Sequence, residues 1–469
     1  MTGPASKTIA IIGAGPVGLA AAAHALERGL KPIVLEAGAE AGHAIRQWSH
    51  VRMFSPWEYN IDKAAQRLLA ATGWNAPDPH VYPTGGDLIA HYIEPLASRT
   101  ELKSLIKTAA RVTAISRAGF DKVKSKGRDA APFEIRYRNG KGAETLQADA
   151  VIDASGTWFS PNPSGANGLP AIGEPELAKR IAYAMPDVLG ADRSRYAGKA
   201  IAVLGAGHSA IGTLIDLVRL QDEIPGTSAV WLLRGDSPQK AFGGGANDKL
   251  SARGELGSTF ARLVNEGRLR VEIGFGVSHL TEDDGRLRIG AGSACCGRHV
   301  LVDELIVSTG FRPDLGFLSE LRLALDPALD CPTALAPLID PNEHSCGTVR
   351  PHGARELAHP EPGFYIAGMK SYGRAPTFLT LTGYEQVRSI VADVAGDKEA
   401  AARVELVLPE TGVCSRSPET VAEGCCGGPA TADASACCAA DETAKATGKG
   451  GCGCGQAEPQ NTKASSCCG

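Results

Sequence analysis

The stretch that most constrains this chain is Lys7–Glu36, KTIAIIGAGPVGLAAAAHALERGLKPIVLE. Thr8–Ile12 is an apolar run of strand length, and Gly13-Ala14-Gly15-Pro16-Val17-Gly18 follows with G-x-G-x-x-G spacing. Leu19–Arg28 is rich in Ala and Leu, as suits a helix packed on a sheet. Ile33–Leu35 reads as a second strand, closed by Glu36. Gly13 permits a tight strand-to-helix turn, Gly15 lets backbone approach a pyrophosphate, and Gly18 lets helix and strand pack closely. The start of the helix turns unpaired N–H groups and a positive dipole end toward phosphates. A carboxylate at the second strand's end can accept hydrogen bonds from an adenosine ribose. Strand, turn, helix, strand and terminal acid together predict a dinucleotide site, with Gly13, Gly15, Pro16, Gly18 and Glu36 as its residues.

The pattern recurs about 190 residues later. Ala200–Leu204 is the strand, Gly205-Ala206-Gly207-His208-Ser209-Ala210 the turn, and a helix runs on to Leu220. Ala210 is the small substitute for a third glycine. Val230–Leu233 is the next strand and ends at Arg234, which is expected to occupy the station of Glu36. A guanidinium there suits a 2′-phosphate, so NADPH is favoured over NADH; the plainer reading is a surface charge at a strand end. Gly205, Gly207, His208 and Ser209 are the phosphate-side candidates, His208 as a phosphate neighbour rather than a base.

Two further elements, DELIVSTGF with Gly310 and GFYIAG with Gly368 and then Met369, pair strands with glycines. Ala150–Ala154 reads as a buried strand leading to Ser155-Gly156-Thr157, and Val112 lies on an expected strand, Arg111–Ile115. Val112, Gly156, Gly310, Gly368 and Met369 join the cofactor-contacting candidates. The expected fold class is α/β, with two Rossmann-like dinucleotide-binding domains, the first interrupted by the second. The expected boundaries are 1–170 and 303–396 for the first domain, 171–302 for the second, and 397–469 for a flexible Cys-rich tail. Phe133–Arg138 and Ala143–Ala148 should form a hairpin turned at Asn139-Gly140.

Only 5% of residues are aromatic, yet Trp48, Phe54 and Trp57 crowd one loop with Arg52 and Ser55. Trp48, Arg52 and Trp57 are candidates for lining a reacting face, Arg52 by stabilising negative charge there. Core packing for the aromatics and a structural salt bridge for Arg52 are the alternatives. A net charge of −4 recommends neither nucleic acid nor an anionic membrane surface. No 18-residue apolar run is present, and the N-terminus has no secretory pattern, so a cytoplasmic protein is expected.

The motifs GAGPVG with Glu36, GAGHSA with Arg234, STGFRPD and GFYIAG, in that order, resemble those of two-dinucleotide-domain flavoproteins. Among these the chain looks most like the flavin-binding monooxygenases, including the ArsO-type proteins of arsenic-resistance operons. GHAIRQWSHVRMFSPW is similar to their segment near the flavin, and GMKSYGRAPTFLTLTGYEQVRS to their closing segment. The resemblance implies FAD in the first domain, NADPH in the second, hydride transfer from NADPH to the flavin, electrons passed from reduced flavin to molecular oxygen, and a small-molecule or metalloid substrate that is oxidised. Two residue patterns depart from it. No cysteine precedes Cys295, so the redox pair of disulfide reductases is missing, and AKRIAYAMPDVLGADRSRYAGK lacks the histidine of the monooxygenase fingerprint.

Nine of the 13 cysteines fall between Cys414 and Cys468. That tail has no aromatic residue and few large aliphatics, too little apolar area to fold alone. Cys425-Cys426, Cys437-Cys438, Cys452-Gly453-Cys454 and Cys467-Cys468 present thiolates in pairs, which select soft, thiophilic centres. Vicinal pairs fit zinc poorly. The resulting expectation is a flavin monooxygenase that oxidises trivalent arsenicals, its tail capturing the metalloid. An NADPH-dependent metal reductase resembling mercuric reductase and a non-enzymatic metal-binding flavoprotein are the alternatives. Self-association as a homodimer is left open.

Overall fold

The computed structural model describes residues 6–242, 251–292, 297–343, 351–376 and 378–406. The Cys-rich tail, with Cys425, Cys426, Cys437, Cys438, Cys452, Cys454, Cys467 and Cys468, lies outside the described residues, as do Cys295 and Cys296.

Two parallel five-stranded sheets carry the fold. In the first, Phe364–Ile366, Ala150–Asp153, Thr8–Ile12, Lys31–Leu35 and Ile106–Lys107 lie side by side in that order. In the second the order is Arg270–Glu272, Ser228–Leu232, Ala200–Leu204, Glu304–Val307 and Ile181–Tyr183. Parallel strands covered on both faces read as continuous apolar runs, which is how TIAII, AVID and AIAVL read here. Each glycine-turn strand is central in its sheet, so its C-terminal end opens where the crossing helices leave room for a ligand.

The first helix, Pro16–Glu27, buries Leu19 to Ala23 completely. Four alanines in a row, Ala20 to Ala23, let it lie close on the first sheet. Its other side meets Thr380–Ala395, where Val387, Ile390 and Val391 are fully buried. Each such aliphatic contributes about 1.5–3 kcal/mol of burial free energy. Behind the sheet, Arg111–Arg117, Phe133–Asn139 and Gly142–Ala148 form an antiparallel three-stranded layer, with the expected hairpin closing at Asn139 opposite Gly142. A buried charge cluster fastens this layer: the Glu361 carboxylate, fully buried, accepts from Arg117 Nε at 2.7 Å and from Arg128 Nη1 at 2.6 Å.

One expected boundary moves. Glu304–Val307 pairs with Ala200–Leu204 and with Ile181–Tyr183, so it is a strand of the second sheet rather than the start of the return to the first. DELIV is an apolar strand by pattern, and pattern alone does not say which sheet receives it. The crossing back comes after Ser308, where Gly310 O accepts from Asn162 N and Ser160 O from Arg312 N. The two crossover segments are thus tied to each other. The described residues all fall in one compact unit, and among them no helix is long and apolar enough to cross a membrane.

Candidate functional site

The two glycine turns are built alike at their first two glycines. Gly13 has φ +98°, and a Cβ there would lie 2.7 Å from the carbonyl oxygen of Ala154, at the exit of the neighbouring strand. Gly205 has φ +140°, and its Cβ would lie 2.3 Å from the carbonyl oxygen of Ser308, again at a neighbouring strand's exit. Only glycine fits either place. The middle glycines differ from these, since Cβ atoms on Gly15 or Gly207 would meet nothing within 4 Å. Both are N-caps without a side-chain hydrogen bond, so no cap side chain covers the start of either helix, where the first N–H groups lack intrahelical acceptors. The third position separates the turns. A Cβ on Gly18 would lie 1.9 Å from Gly13 O, whereas Ala210 is tolerated, its methyl 3.5 Å from where a Gly205 Cβ would be.

A close turn, a bare middle residue and a helix start without a side-chain cap, on a dipole's positive end, could hold the phosphates of a dinucleotide. Pro16 at the first helical position removes a donor that would have had no partner. Glu36, buried, accepts from Ala14 N at 2.7 Å and Gly38 N at 2.8 Å, so one carboxylate braces the turn and the loop opposite. Its backbone oxygen takes Ala110 N at 2.8 Å, which brings the strand carrying Val112 to the same edge.

The second unit corrects the sequence reading. Leu35 pairs with Ile12, and Leu232 pairs with Leu204, each immediately before a first glycine. The station of Glu36 is therefore held by Leu233, which is buried, and Arg234 sits one residue later. Counting from strand length placed the arginine one step early. Arg234 is exposed and uses Nη1 to donate to Ala166 O at 3.0 Å.

The aromatic loop divides. Trp48 packs its ring against Gly85, where a Cβ would come 2.7 Å from the indole, and tilts toward Trp158 at 6.4 Å. Phe54 meets the ring of His208 edge-on at 5.2 Å, so a first-domain side chain touches the second glycine turn. Trp57 goes the other way, being 3% exposed in the first-domain core with its ring edge on His91. That placement removes Trp57 from the lining of a reacting face; Ser55 is likewise buried, hydrogen-bonded with Asn60. Arg52 is exposed and anchored, its Nη1 donating to Tyr82 O at 2.8 Å. Ser209 follows His208 in the first turn of the second helix.

Three of the remaining candidates are glycines with φ between +70° and +89°: Gly156, Gly310 and Gly368. Gly368 contacts Val17 of the first turn, as does Gly383 of the closing helix. Met369, half-buried, follows Gly368. A polar network missed by motif reading fixes this corner. Gln386, fully buried, accepts from Gly368 N at 2.8 Å and donates to Ser371 Oγ at 2.9 Å, while Ser371 donates to Gly368 O at 2.7 Å. His352 completes it, 2.9 Å from Gln386 Nε2. Trp158, unmarked by any motif, stacks on Phe311 of the STGF element at 5.1 Å where the two crossover segments run together. Among the described residues no group of three or more His, Cys, Asp or Glu side chains is placed to hold a metal ion.

Comparison with known proteins is consistent with this geometry. The family model of the pyridine nucleotide-disulphide oxidoreductases matches residues 10–333. The chain belongs to that family. Membership makes it an NAD(P)H-dependent flavin oxidoreductase, with FAD and a nicotinamide nucleotide as cofactors. The chain is 19% identical over 243 residues to flavin-containing monooxygenase FMO GS-OX-like 2 of Arabidopsis thaliana. That match covers 47% of the chain and 49% of the relative, so the chain spans about half of the relative's length. The bacillithiol disulfide reductase Bdr (YpdA) of Bacillus cereus has the same fold, with TM-score 0.61, 21% identity, and coverage of 83% of this chain and 99% of that one. DfoA, the cadaverine monooxygenase of Erwinia amylovora, superposes with TM-score 0.58 at 13% identity, covering 87% and 99%.

Proposed function

We propose that this oxidoreductase is an NADPH-dependent FAD monooxygenase of a small, soft substrate, trivalent arsenicals being the favoured class. FAD takes the turn Gly13–Gly18, its pyrophosphate at the start of the first helix and its ribose toward Glu36, with Val112, Gly156, Gly368 and Met369 around it. NADPH takes the turn Gly205–Ala210, with His208 and Ser209 at the phosphates and Arg234 reaching a 2′-phosphate. On this reading the first domain holds FAD, the second NADPH, and the tail thiolates capture the arsenical. The cofactors supply hydride transfer and oxygen chemistry. The protein's part is to bind, orient and keep water out.

The observation that carries this reading is the pair of matching cradles, joined by the contact of Phe54 with His208. The likeness to a plant flavin-containing monooxygenase supports oxygen chemistry. The lack of any cysteine before Cys295 argues against reduction of a disulfide or of mercury at the flavin. The test is NADPH consumption by the purified protein in air, with and without arsenite or methylarsenite, beside a variant truncated after Pro409. Turnover stimulated by the arsenical and weakened by truncation is the expected result. Turnover indifferent to every arsenical removes the substrate assignment, and absence of NADPH oxidation removes the enzyme reading.

A further inference from the structure

Asp153 and Lys370 form an ion pair with both side chains wholly buried, Nζ to Oδ2 at 2.6 Å. Desolvating two such charges costs several kcal/mol apiece, and an apolar pair of similar volume is often as stable or more so. Packing alone therefore gives no reason for a lysine and an aspartate at this place. Their surroundings do. Asp153 is the last residue of its strand, and its Oδ1 accepts from both Ser155 N at 3.1 Å and Ser155 Oγ at 2.6 Å. Lys370 Nζ also donates to Ser155 Oγ at 3.1 Å and stands 4.3 Å from the centre of the Phe317 ring. Every oxygen and the ammonium are thus engaged.

The pair joins two strand exits. Asp153 precedes Ala154, whose carbonyl closes against Gly13, and Ser155 precedes Gly156. Lys370 lies two residues after Gly368, which packs on Val17 of the same glycine turn. Gln386 holds Gly368 to the closing helix but makes no link to the Asp153 strand. The two strands are neighbours in the sheet, and their backbone ladder ends with Ala367 N donating to Asp153 O at 2.9 Å; past that bond the ion pair, with Ser155, carries the link on between side chains.

We propose that Asp153 and Lys370, with Ser155 between them, are positioning residues for FAD: they hold the Ala154–Gly156 and Gly368–Met369 walls at one fixed separation across the first glycine turn. The proposal rests on the reading that FAD occupies that turn. Neither residue touches the cofactor's reacting atoms. Their effect is on how well the walls fit it.

The experiment compares wild type, Lys370→Met, Asp153→Asn, the double variant and Ser155→Ala as full-length proteins stripped of flavin. Two quantities are read from each: the melting midpoint of the apoprotein, and its affinity for added FAD from quenching of flavin fluorescence. Each charge-removing single variant leaves a buried charge unpaired and melts lower. The double variant regains most of the wild-type midpoint, because no charge is stranded. Its FAD affinity stays about tenfold weaker, the loss that one misplaced hydrogen-bonding wall carries. Ser155→Ala strands no charge and needs no rescue of folding; it keeps the apoprotein midpoint and binds FAD about threefold more weakly. A double variant, or a Ser155→Ala protein, that binds FAD like wild type overturns the proposal and leaves the pair a purely structural tie. Wild-type apoprotein that takes up no FAD defeats the flavin reading itself, in an arm that contains no substitution.

Discussion

Two neighbouring glycines of one turn are expected to respond differently to the same added methyl group. A Cβ on Gly18 would sit 1.9 Å from Gly13 O, where ordinary contact begins near 3.4 Å. The helix must then lift from the turn by more than 1 Å, overpacking that costs about 1–3 kcal/mol. A displacement of that size at a binding turn is worth about 10²-fold in function. A Cβ on Gly15 would meet nothing, and its backbone is extended at φ −78°, so alanine fits the apoprotein. The space it fills is what a pyrophosphate needs. Gly18→Ala therefore lowers both the apoprotein melting midpoint and retained FAD, read as the ratio of flavin to protein absorbance. Gly15→Ala loses FAD at an unchanged midpoint. If Gly15→Ala protein keeps its full complement of FAD, the turn is not the pyrophosphate cradle and the reasoning fails.

Glu361→Gln, which leaves Arg117 and Arg128 buried against a neutral amide, should cost about 3–5 kcal/mol in urea unfolding. An unchanged midpoint would mean that the cluster is solvated. Burial pushes His359 down to about 4 from its ordinary 6.5, and its Nε2 has no hydrogen-bond partner among the described residues. The folded state therefore resists protonation: the stability of neutral His359 is complete above pH 6.5 and drains as pH falls toward 4, to a loss of about 3 kcal/mol. His359→Leu should unfold with a shallower pH dependence over that window, on top of a pH-independent offset from the unpaired Ala324 N–H. Parallel curves for the two proteins would contradict the assignment. Arg234→Ala should lower kcat/KM for NADPH about tenfold, with NADH unchanged, the value of one charge-assisted phosphate contact. Equal losses for both nucleotides would show that Arg234 serves the fold instead.

The glycine turns and their strands were legible because each rests on a local rule: a turn that only glycine can make, next to an apolar run of strand length. What failed was register. Arg234 was one residue off because strand ends fray, and pairing with Leu204, fixed only in three dimensions, decides which residue faces the first glycine. The same holds for Glu304–Val307, whose sheet is chosen by long-range pairing. Trp57 read as a site residue because it shares one short loop with Trp48 and Phe54 in a chain that is only 5% aromatic. Alternation on an irregular loop gives no periodic signal, and its burial appears only with the fold. Asp153 did carry a signal, a carboxylate ending an otherwise apolar strand. Its partner lies 217 residues away, beyond any local pattern.

The duplicated cradles also locate where this chain can differ from others of its family. The turns use backbone atoms and glycines, so on the proposed reading they would hold dinucleotides without regard to what is oxidised. The side chains that join them are of another kind. Phe54 on His208, Trp158 stacked on Phe311, and Trp158 Nε1 donating to Gln47 at 2.9 Å come from the loop after the second strand and from the two crossover segments. All of these rings except His208 lie outside both glycine turns. Substitutions within the turns should therefore change how much cofactor is held. Substitutions at Phe54 or Trp158 should leave both cofactors bound and change how fast reducing equivalents pass between them. A Phe54→Ala protein with normal FAD content, normal NADPH affinity and slowed flavin reduction in stopped flow is the expected case. Loss of FAD from that variant would place Phe54 in the cradle itself and dissolve the distinction.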